Sequence, residues 1–404
     1  MRKFIPKFIF QIYHYSLALI GAVIYTFPSK KMIVIGVTGT NGKSTVVHLI
    51  TETLEKSGQK VASLSSIRFK VGDKEEKNML KMTMPGRFKL QKFLRQAVSA
   101  GCKYMVLEVT SEGIKQFRHK FIDFDAAVFT NLTKEHIEAH KGFENYKKAK
   151  GKLFETLEKS PKANKFAVLN SDDENFAYFE KLFSGKKYFY GIKNPKTEIT
   201  PQKIGLKLDN LLGEFNLYNA LAAYCAGIAL GIEKNKVLQV LKIAKGIPGR
   251  LELVISEPFK VFVDYAHTPD GLENVYKTLG RNLICVLGST GGGRDKWKRP
   301  EMGKIATNYC KNIILTNEDP YDENPSQILS EIESGISNSR FPISKILNRR
   351  EAINKALSLA QKNDTVIITG KGCEPWMCVE HGKKIAWDDR EIVREEIQRL
   401  TTQN

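Results

Sequence analysis

The stretch Met32–Ile50, "MIVIGVTGTNGKSTVVHLI", decides how the rest of the chain is read. Ile33 to Thr38 form a short, nearly continuous aliphatic run of the kind that is buried on both faces of a sheet. Gly39, Thr40, Asn41 and Gly42 follow as a turn. From Lys43, Ser44 and Thr45 onward, apolar residues recur at helical spacing (Val46, Val47, Ile50). A strand running through a glycine-rich turn into a helix start is a phosphate site. Main-chain N–H groups and the helix dipole face the anion, a lysine adds a point charge, and a hydroxyl reaches magnesium. Strict Walker A spacing asks for glycine at 37, where Val37 stands. The motif therefore rests on its context, apolar strand before and helix after.

Working outward, strand-like runs occur at "YMVLEVT", "AAVFTNL", "FAVLN", "VFVDYA", "LICVLG", "NIILTN" and "TVIITG". Helical periodicity lies between most of them, as in "STVVHLITETLEKSG" and "RFKLQKFLRQAVSAG". Alternation of this kind predicts an α/β fold with a mostly parallel sheet. The polar stretch from Asn194 to Leu208 reads as loop or small sheet, and a helix opens after Gly213. Gly246, Pro248 and Gly249 break the helical pattern and mark a boundary. The organisation expected is an apolar N-terminal helix over 1–31, a central nucleotide-binding domain over 32–246 and a C-terminal Rossmann-like α/β domain over 247–404.

The 404 residues carry 63 Lys+Arg against 44 Asp+Glu, a formal net charge of +19. That balance favours anionic partners. The basic residues are spread along the chain, most of them on a solvated surface, and no aromatic-basic nucleic-acid module stands out. Nucleic acid is not expected as a partner. The six cysteines form no CxxC pair and no zinc-like spacing, which fits reduced thiols in a cytoplasmic protein.

The N-terminal run "KFIFQIYHYSLALIGAVIYTFPSKK" has about the length that spans a bilayer. Gln11, His14 and Ser16 interrupt it, basic residues flank both ends, and no signal-peptide cleavage site follows. A phosphate loop that uses cytoplasmic ATP excludes export of the rest. Lys7, Gln11 and His14 fall on one helical face, so the run suits a helix lying on a membrane surface or on another apolar surface, the alternative being packing on its own domain.

The phosphate loop and the motifs after it resemble the Mur ligase family of ATP-dependent peptide-forming ligases. In family order they are "GTNGKST", "LEVTSEGI", "FTNLTKEHIEAH", "YKKAKGKLF", "LNSDD", "FNLYNALAA", "GIPGRLE", "VDYAHTPDGLE", "GGGRDKWKRPEMG", "TNEDPYDENP" and "GKGCEPW". "DYAHTPD", "KRPEMG" and "GKGCE" are most similar to the MurE type. The resemblance implies ATP and Mg2+ as cofactors, UDP-muramoyl-peptide and amino-acid substrates, and an acyl phosphate attacked by an amine. It implies nucleotide contacts at Gly39, Thr40, Asn41, Gly42, Lys43, Ser44, Thr45, Asn216, Asn219, Arg250 and Asp264. It places magnesium at Ser44, Glu108, His136 and Lys150, with Lys150 carbamylated, and gives catalytic roles to Lys43, His136 and Lys150. Substrate contacts fall on Thr83, Thr110, Arg118, Asp319 and Glu374. On residues alone, Lys150 reads as a solvated helical lysine; a two-histidine zinc site at His136 and His140 is a rival reading, disfavoured because the glutamate of a zincin is missing.

Several departures stand out. "TMP" and "TSE" replace the family's Thr-Thr-Pro and Ser-Ser-His, putting Met84 and Glu112 at those positions. Only about thirty-five residues precede the loop where the family carries a UDP-binding domain, so the reading is of a truncated one. "EDPY" (Glu318 to Tyr321) replaces Asp-Asn-Pro-Arg, losing a bidentate carboxylate clamp and leaving acidic groups. The expectation drawn from this is L-lysine or another diamino monoacid, added to UDP-N-acetylmuramoyl-dipeptide in the cytoplasm or at the inner membrane face. The competing readings are a folylpolyglutamate synthase-like or lipid II-modifying ligase, and a P-loop scaffold or nucleic-acid binder.

Overall fold

The computed structural model describes residues 7–80, 82–336 and 342–403, with side chains from Ile9 to Thr402 within them. Two compact units are present. One comprises Met1–Lys134 with His140–Lys245, the other Glu135–Ala139 with Gly246–Asn404.

In the first unit, helix α1 (Lys7–Ile24) precedes strand β1 (Ile33–Thr38) and helix α2 (Lys43–Lys56). Strands β2 (Val61–Leu64), β3 (Arg68–Val71) and β4 (Lys74–Lys77) and helix α3 (Arg87–Ser99) come next. Strand β5 (Tyr104–Glu108), helix α4 (Ser111–Lys115) and strand β6 (Ala126–Phe129) follow. After them come helices α5 (Ile137–His140) and α6 (Phe143–Glu158) and strands β7 (Phe166–Asn170) and β8 (Lys186–Tyr190). The sheet has eight strands in the order β4-β3-β2-β5-β1-β6-β7-β8. The six from β2 to β8 are parallel, and β3 and β4 extend the edge antiparallel.

Period-2 alternation sorts the aliphatic side chains onto two covered faces. Val34, Met105 and Leu107 pack on one side with Leu153 and Phe154 of α6. Ile35, Val37, Tyr104 and Val106 pack on the other with α2 and the helix Glu214–Ala229. Each such side chain removed from water contributes about 1.5–3 kcal/mol. β1 and β5 are central, so their C-terminal ends, Thr38 and Glu108, are held on both sides. The loop that follows β1 inherits that rigidity.

The second unit holds a six-stranded sheet in the order β13-β12-β11-β14-β10-β9 and, apart from it, a two-stranded antiparallel pair, Trp376–Cys378 with Lys384–Ala386. The six are β9 (Glu252–Ile255), β10 (Lys260–Asp264), β11 (Leu283–Leu287), β12 (Cys310–Leu315), β13 (Ile343–Lys345) and β14 (Thr365–Thr369). Among these six only β9 runs antiparallel, against β10. This is the Rossmann-like α/β unit expected. Among the described residues, no helix is long and apolar enough to cross a membrane.

Candidate active site

The loop between β1 and α2 is fixed from several directions. Thr40 N–H donates to the Asn131 carbonyl at 2.8 Å, and Asn41 N–H to Asn131 Oδ1 at 2.8 Å. Thr130 Oγ1 and Asn131 Nδ2 both donate to the Asn41 carbonyl, at 2.7 and 3.1 Å. Thr40 Oγ1 lies 3.1 Å from the Tyr146 hydroxyl. Gly42 adopts φ 81° at the start of α2, and a Cβ there would overlap Asn219 Oδ1. Glycine is therefore required twice over, for its backbone conformation and for its missing side chain. Buried Asn219 is itself set by Asn216, whose Oδ1 accepts from Asn219 Nδ2 at 3.1 Å and whose Nδ2 donates to the Leu212 carbonyl at 2.7 Å.

Lys43 Nζ folds back to the Thr40 carbonyl at 2.7 Å, keeping the ammonium at the loop. Ser44 Oγ donates to Glu108 Oε2 at 2.7 Å and lies 2.7 Å from Ser66 Oγ. Ser66 N–H also reaches Glu108 Oε2, at 2.9 Å. Thr45 is buried beside Ser44. A buried carboxylate is costly without compensation. Here hydroxyl and carboxylate oxygens converge at a helix start, the hard donor set that suits Mg2+, which takes one or two protein oxygens and keeps its waters. Ser44 and Glu108 thus fit the ion the sequence implies.

Lys150 is fully inside the unit on α6. Its Nζ donates to the Gly39 carbonyl at 2.5 Å and sits 4.5 Å from the Tyr146 ring centroid. The solvated-lysine reading fails because α6 turns this lysine to the sheet while Lys148 and Lys152 face solvent.

His136 and His140 fall in different units. His140 Nε2 lies 3.2 Å from Ser111 Oγ and 3.2 Å from Glu112 Oε1, which accounts for glutamate at the departed "TSE" position. His136, with φ 55°, lies 3.8 Å from Glu135. Among the described residues, no group of three or more His, Cys, Asp and Glu is arranged to hold a metal.

Of the substrate positions, Thr83 is half-buried and Thr110 caps α4 by accepting from Gly113 N–H at 3.1 Å. Arg118 donates to the Met84 carbonyl and, at 2.8 Å, to Gln116 Oε1.

The second unit carries its own cluster. Buried Asp264, at the end of β10, accepts from Leu251 and Ala266 N–H groups, each at 2.6 Å. Burial raises its carboxyl above the usual range, against the pull of Arg250. Arg250 stacks 4.2 Å from the Tyr265 ring. Lys371 is wholly buried between Asp319 (2.9 and 3.0 Å) and Glu374 (2.5 Å). Cys378 N–H adds 2.7 Å to Asp319. Of the acids of "EDPY", Asp319 is paired with Lys371, which it shares with Glu374, and Glu318 is buried against Thr290.

Sequence reasoning missed Glu135 and Lys298. Glu135 lies 3.0 Å from His267 Nε2; burial would raise its pKa, but His136 and His267 hold it well below the usual range. Lys298, lowered by burial, donates to the His267 carbonyl at 2.7 Å. Their signal was the position of each inside a quoted motif, at "KEH" and "KRPEMG".

Comparison with known proteins agrees with this architecture. The profile of the Mur ligase middle domain matches residues 37–227, and that of the Mur ligase glutamate ligase domain matches 249–372. The UDP-N-acetylmuramoyl-L-alanyl-D-glutamate–2,6-diaminopimelate ligase of Bacillus cereus is 37% identical, over 95% of this chain and 81% of its own. The ligase of the same name from Caldanaerobacter subterraneus is 38% identical, over 94% and 81%. A solved structure of a ligase of that name is 30% identical with a TM-score of 0.59, covering 92% of this chain and 79% of its own. The folylpolyglutamate synthase of Mycobacterium tuberculosis, at 17% identity and a TM-score of 0.66, shares the fold, with 88% and 92% covered. The chain belongs to the Mur ligase family, the ATP-dependent ligases of peptidoglycan synthesis.

Proposed function

We propose that this ligase joins an amino acid of the 2,6-diaminopimelate class to UDP-N-acetylmuramoyl-L-alanyl-D-glutamate. The observation that carries the reading is the Ser44–Glu108 pair at the glycine-rich loop, in a chain 37% identical to a ligase named for that reaction. The lysine preference drawn from the missing arginine is given up. Relatives 37% and 38% identical are named for 2,6-diaminopimelate, and Asp319, one of the acids on which the preference rested, is paired with Lys371.

Amide formation from a carboxylate needs activation, and ATP supplies it by phosphorylating the acid. The loop N–H groups and Lys43 hold and orient the phosphates, so the reacting groups meet without further ordering cost. Magnesium on Ser44 and Glu108 would offset charge on the transferred group. Asn216 and Asn219 brace the loop under Gly42 and support the adenine end. Arg250 and Asp264 are assigned to phosphates and ribose, and His136 to a second magnesium. On this reading Lys150 is carbamylated: its burial favours the neutral amine that reacts with carbon dioxide, and the carbamate N–H can still donate to Gly39. Thr83, Thr110 and Arg118 are assigned to the muramoyl peptide, Asp319 and Glu374 to positioning the incoming amino acid through Lys371.

The test is product mass after incubation with ATP, UDP-muramoyl dipeptide and either meso-diaminopimelate or L-lysine. A diaminopimelate adduct is expected. A lysine adduct in excess would overturn the amino-acid assignment, and no adduct with either would overturn the donor assignment.

A further inference from the structure

Helix α1 is built inside out. At 100° per residue, Ile9, Ile12, Tyr13, Ser16, Leu19, Ile20, Val23 and Ile24 share one face, and all but Ser16 are exposed, Ile12 at 59%, Val23 at 54% and Ile24 at 56%. The opposite face mixes small residues with aromatic ones, Tyr15 packing on Phe117 and Phe121 and Tyr25 on Phe88. Ala18 and Ala22 are buried, and a Cβ on Gly21 would stand 3.3 Å from the Phe88 backbone of α3. A helix that only covered its own domain would turn its large aliphatic residues inward and its small or polar ones outward. Here small residues let α3 approach closely, and the large apolar surface faces away from the unit. Contiguous exposure of this kind marks an interaction surface.

The charge around that surface selects the occupant. The sequence holds no Asp or Glu before Glu52, and none between Glu76 and Glu108, a span that includes all of α3. Around α1 stand exposed Lys30 and Lys31 at its C-terminal end. Arg95 of α3 donates to Thr26 at 3.4 Å, and Lys92 lies one turn from the exposed Phe88, which packs on Tyr25. Exposed Tyr13 adds an amphipathic ring to the same face. An apolar face within a mostly cationic surround, in which Asp123 N–H bonds Ser29 Oγ just past the helix, complements anionic headgroups over acyl chains.

We propose that α1 lies in the plane of an anionic membrane surface, with its Ile12–Ile20–Val23 face in the interfacial layer and the lysines and arginines of α3 and residues 30–31 on the headgroups. α1 does not cross the bilayer; it holds the ligase against it.

The experiment is flotation of the full chain with vesicles of pure phosphatidylcholine or of phosphatidylcholine with phosphatidylglycerol. Wild type is expected to float with the phosphatidylglycerol vesicles and to be released as salt rises. Ile12→Glu/Ile20→Glu and, separately, Lys30→Glu/Lys92→Glu are expected to weaken binding by about tenfold or more, with turnover on soluble substrates unchanged as a check that both remain folded. The proposal is overturned if wild type fails to float. It is overturned too if the glutamate variant binds as well as wild type, or if light scattering shows a dimer that the glutamate variant dissolves while vesicles are ignored, which would make the face a self-association surface.

Discussion

Ser44 Oγ and Glu108 Oε2, 64 positions apart in sequence, meet at 2.7 Å because parallel pairing of β1 with β5 brings the ends of both strands to one level. Glu108→Gln keeps a partner for the Ser44 hydroxyl and removes only the charge. Turnover is expected to fall by roughly 10²-fold or more, the scale of losing one preorganised electrostatic contact to the transferring group. The magnesium concentration for half-maximal rate should rise. Unchanged rate and unchanged magnesium dependence would remove Glu108 from the site.

Lys150→Arg separates two roles for a buried cation. Arginine keeps the positive charge but does not form a carbamate under these conditions. Activity should be lost in Lys150→Arg as in Lys150→Ala, and wild-type activity should fall when bicarbonate is stripped from the assay. Full activity in the arginine variant, with no bicarbonate effect, would show that the charge alone suffices.

The buried Arg349–Asp389 pair is a matter of stability. Two hydrogen bonds of 2.8 and 2.7 Å join side chains that are wholly inaccessible to water. Arg349→Met leaves a buried, uncompensated carboxylate and is expected to cost about 3–5 kcal/mol. Arg349→Met/Asp389→Leu should recover part of that loss, seen as the midpoint of urea unfolding. A single variant with a wild-type midpoint would contradict the account.

His119, buried in the turn after α4, has its pKa lowered to about 3 by burial, with Lys120 and Lys152 adding to the effect. The folded protein keeps it neutral while the unfolded chain protonates it near the ordinary 6.5. Its contribution is present above pH 6.5 and is lost as pH falls toward 3, at up to about 1.4 kcal/mol per pH unit. His48, also lowered to about 3 by burial and then by Arg68, acts in the same sense. His119→Gln should make the acid limb of stability against pH shallower, measured as urea midpoints across that range. An unchanged slope would mean His119 titrates in the folded state as it does when unfolded.

What the sequence made legible follows from burial. The eight aliphatic runs are strands because they lie deep in their sheets, where apolar residues are compulsory. β4, "KEEK", carries four exposed residues and has no apolar pattern to announce it. Lys371 and Glu135 show the same limit for side chains. Each looks like a surface charge in one dimension. Only pairing with Asp319, 52 positions away, or with His267, 132 positions away, makes burial tolerable.

The segment Glu135–Ala139 has a consequence for dissection. The polypeptide departs from the first unit at Lys134, lends five residues to the second, and re-enters at His140. In that loan, Ile137 and Glu138 N–H groups bind Asp295, and Glu135 binds His267. A gene fragment begun at Gly246 would come away with a missing plug, its Asp295 and His267 opened to solvent. The carboxyl-terminal half is therefore not a severable module, and a faithful version would need the pentapeptide supplied in trans or spliced on.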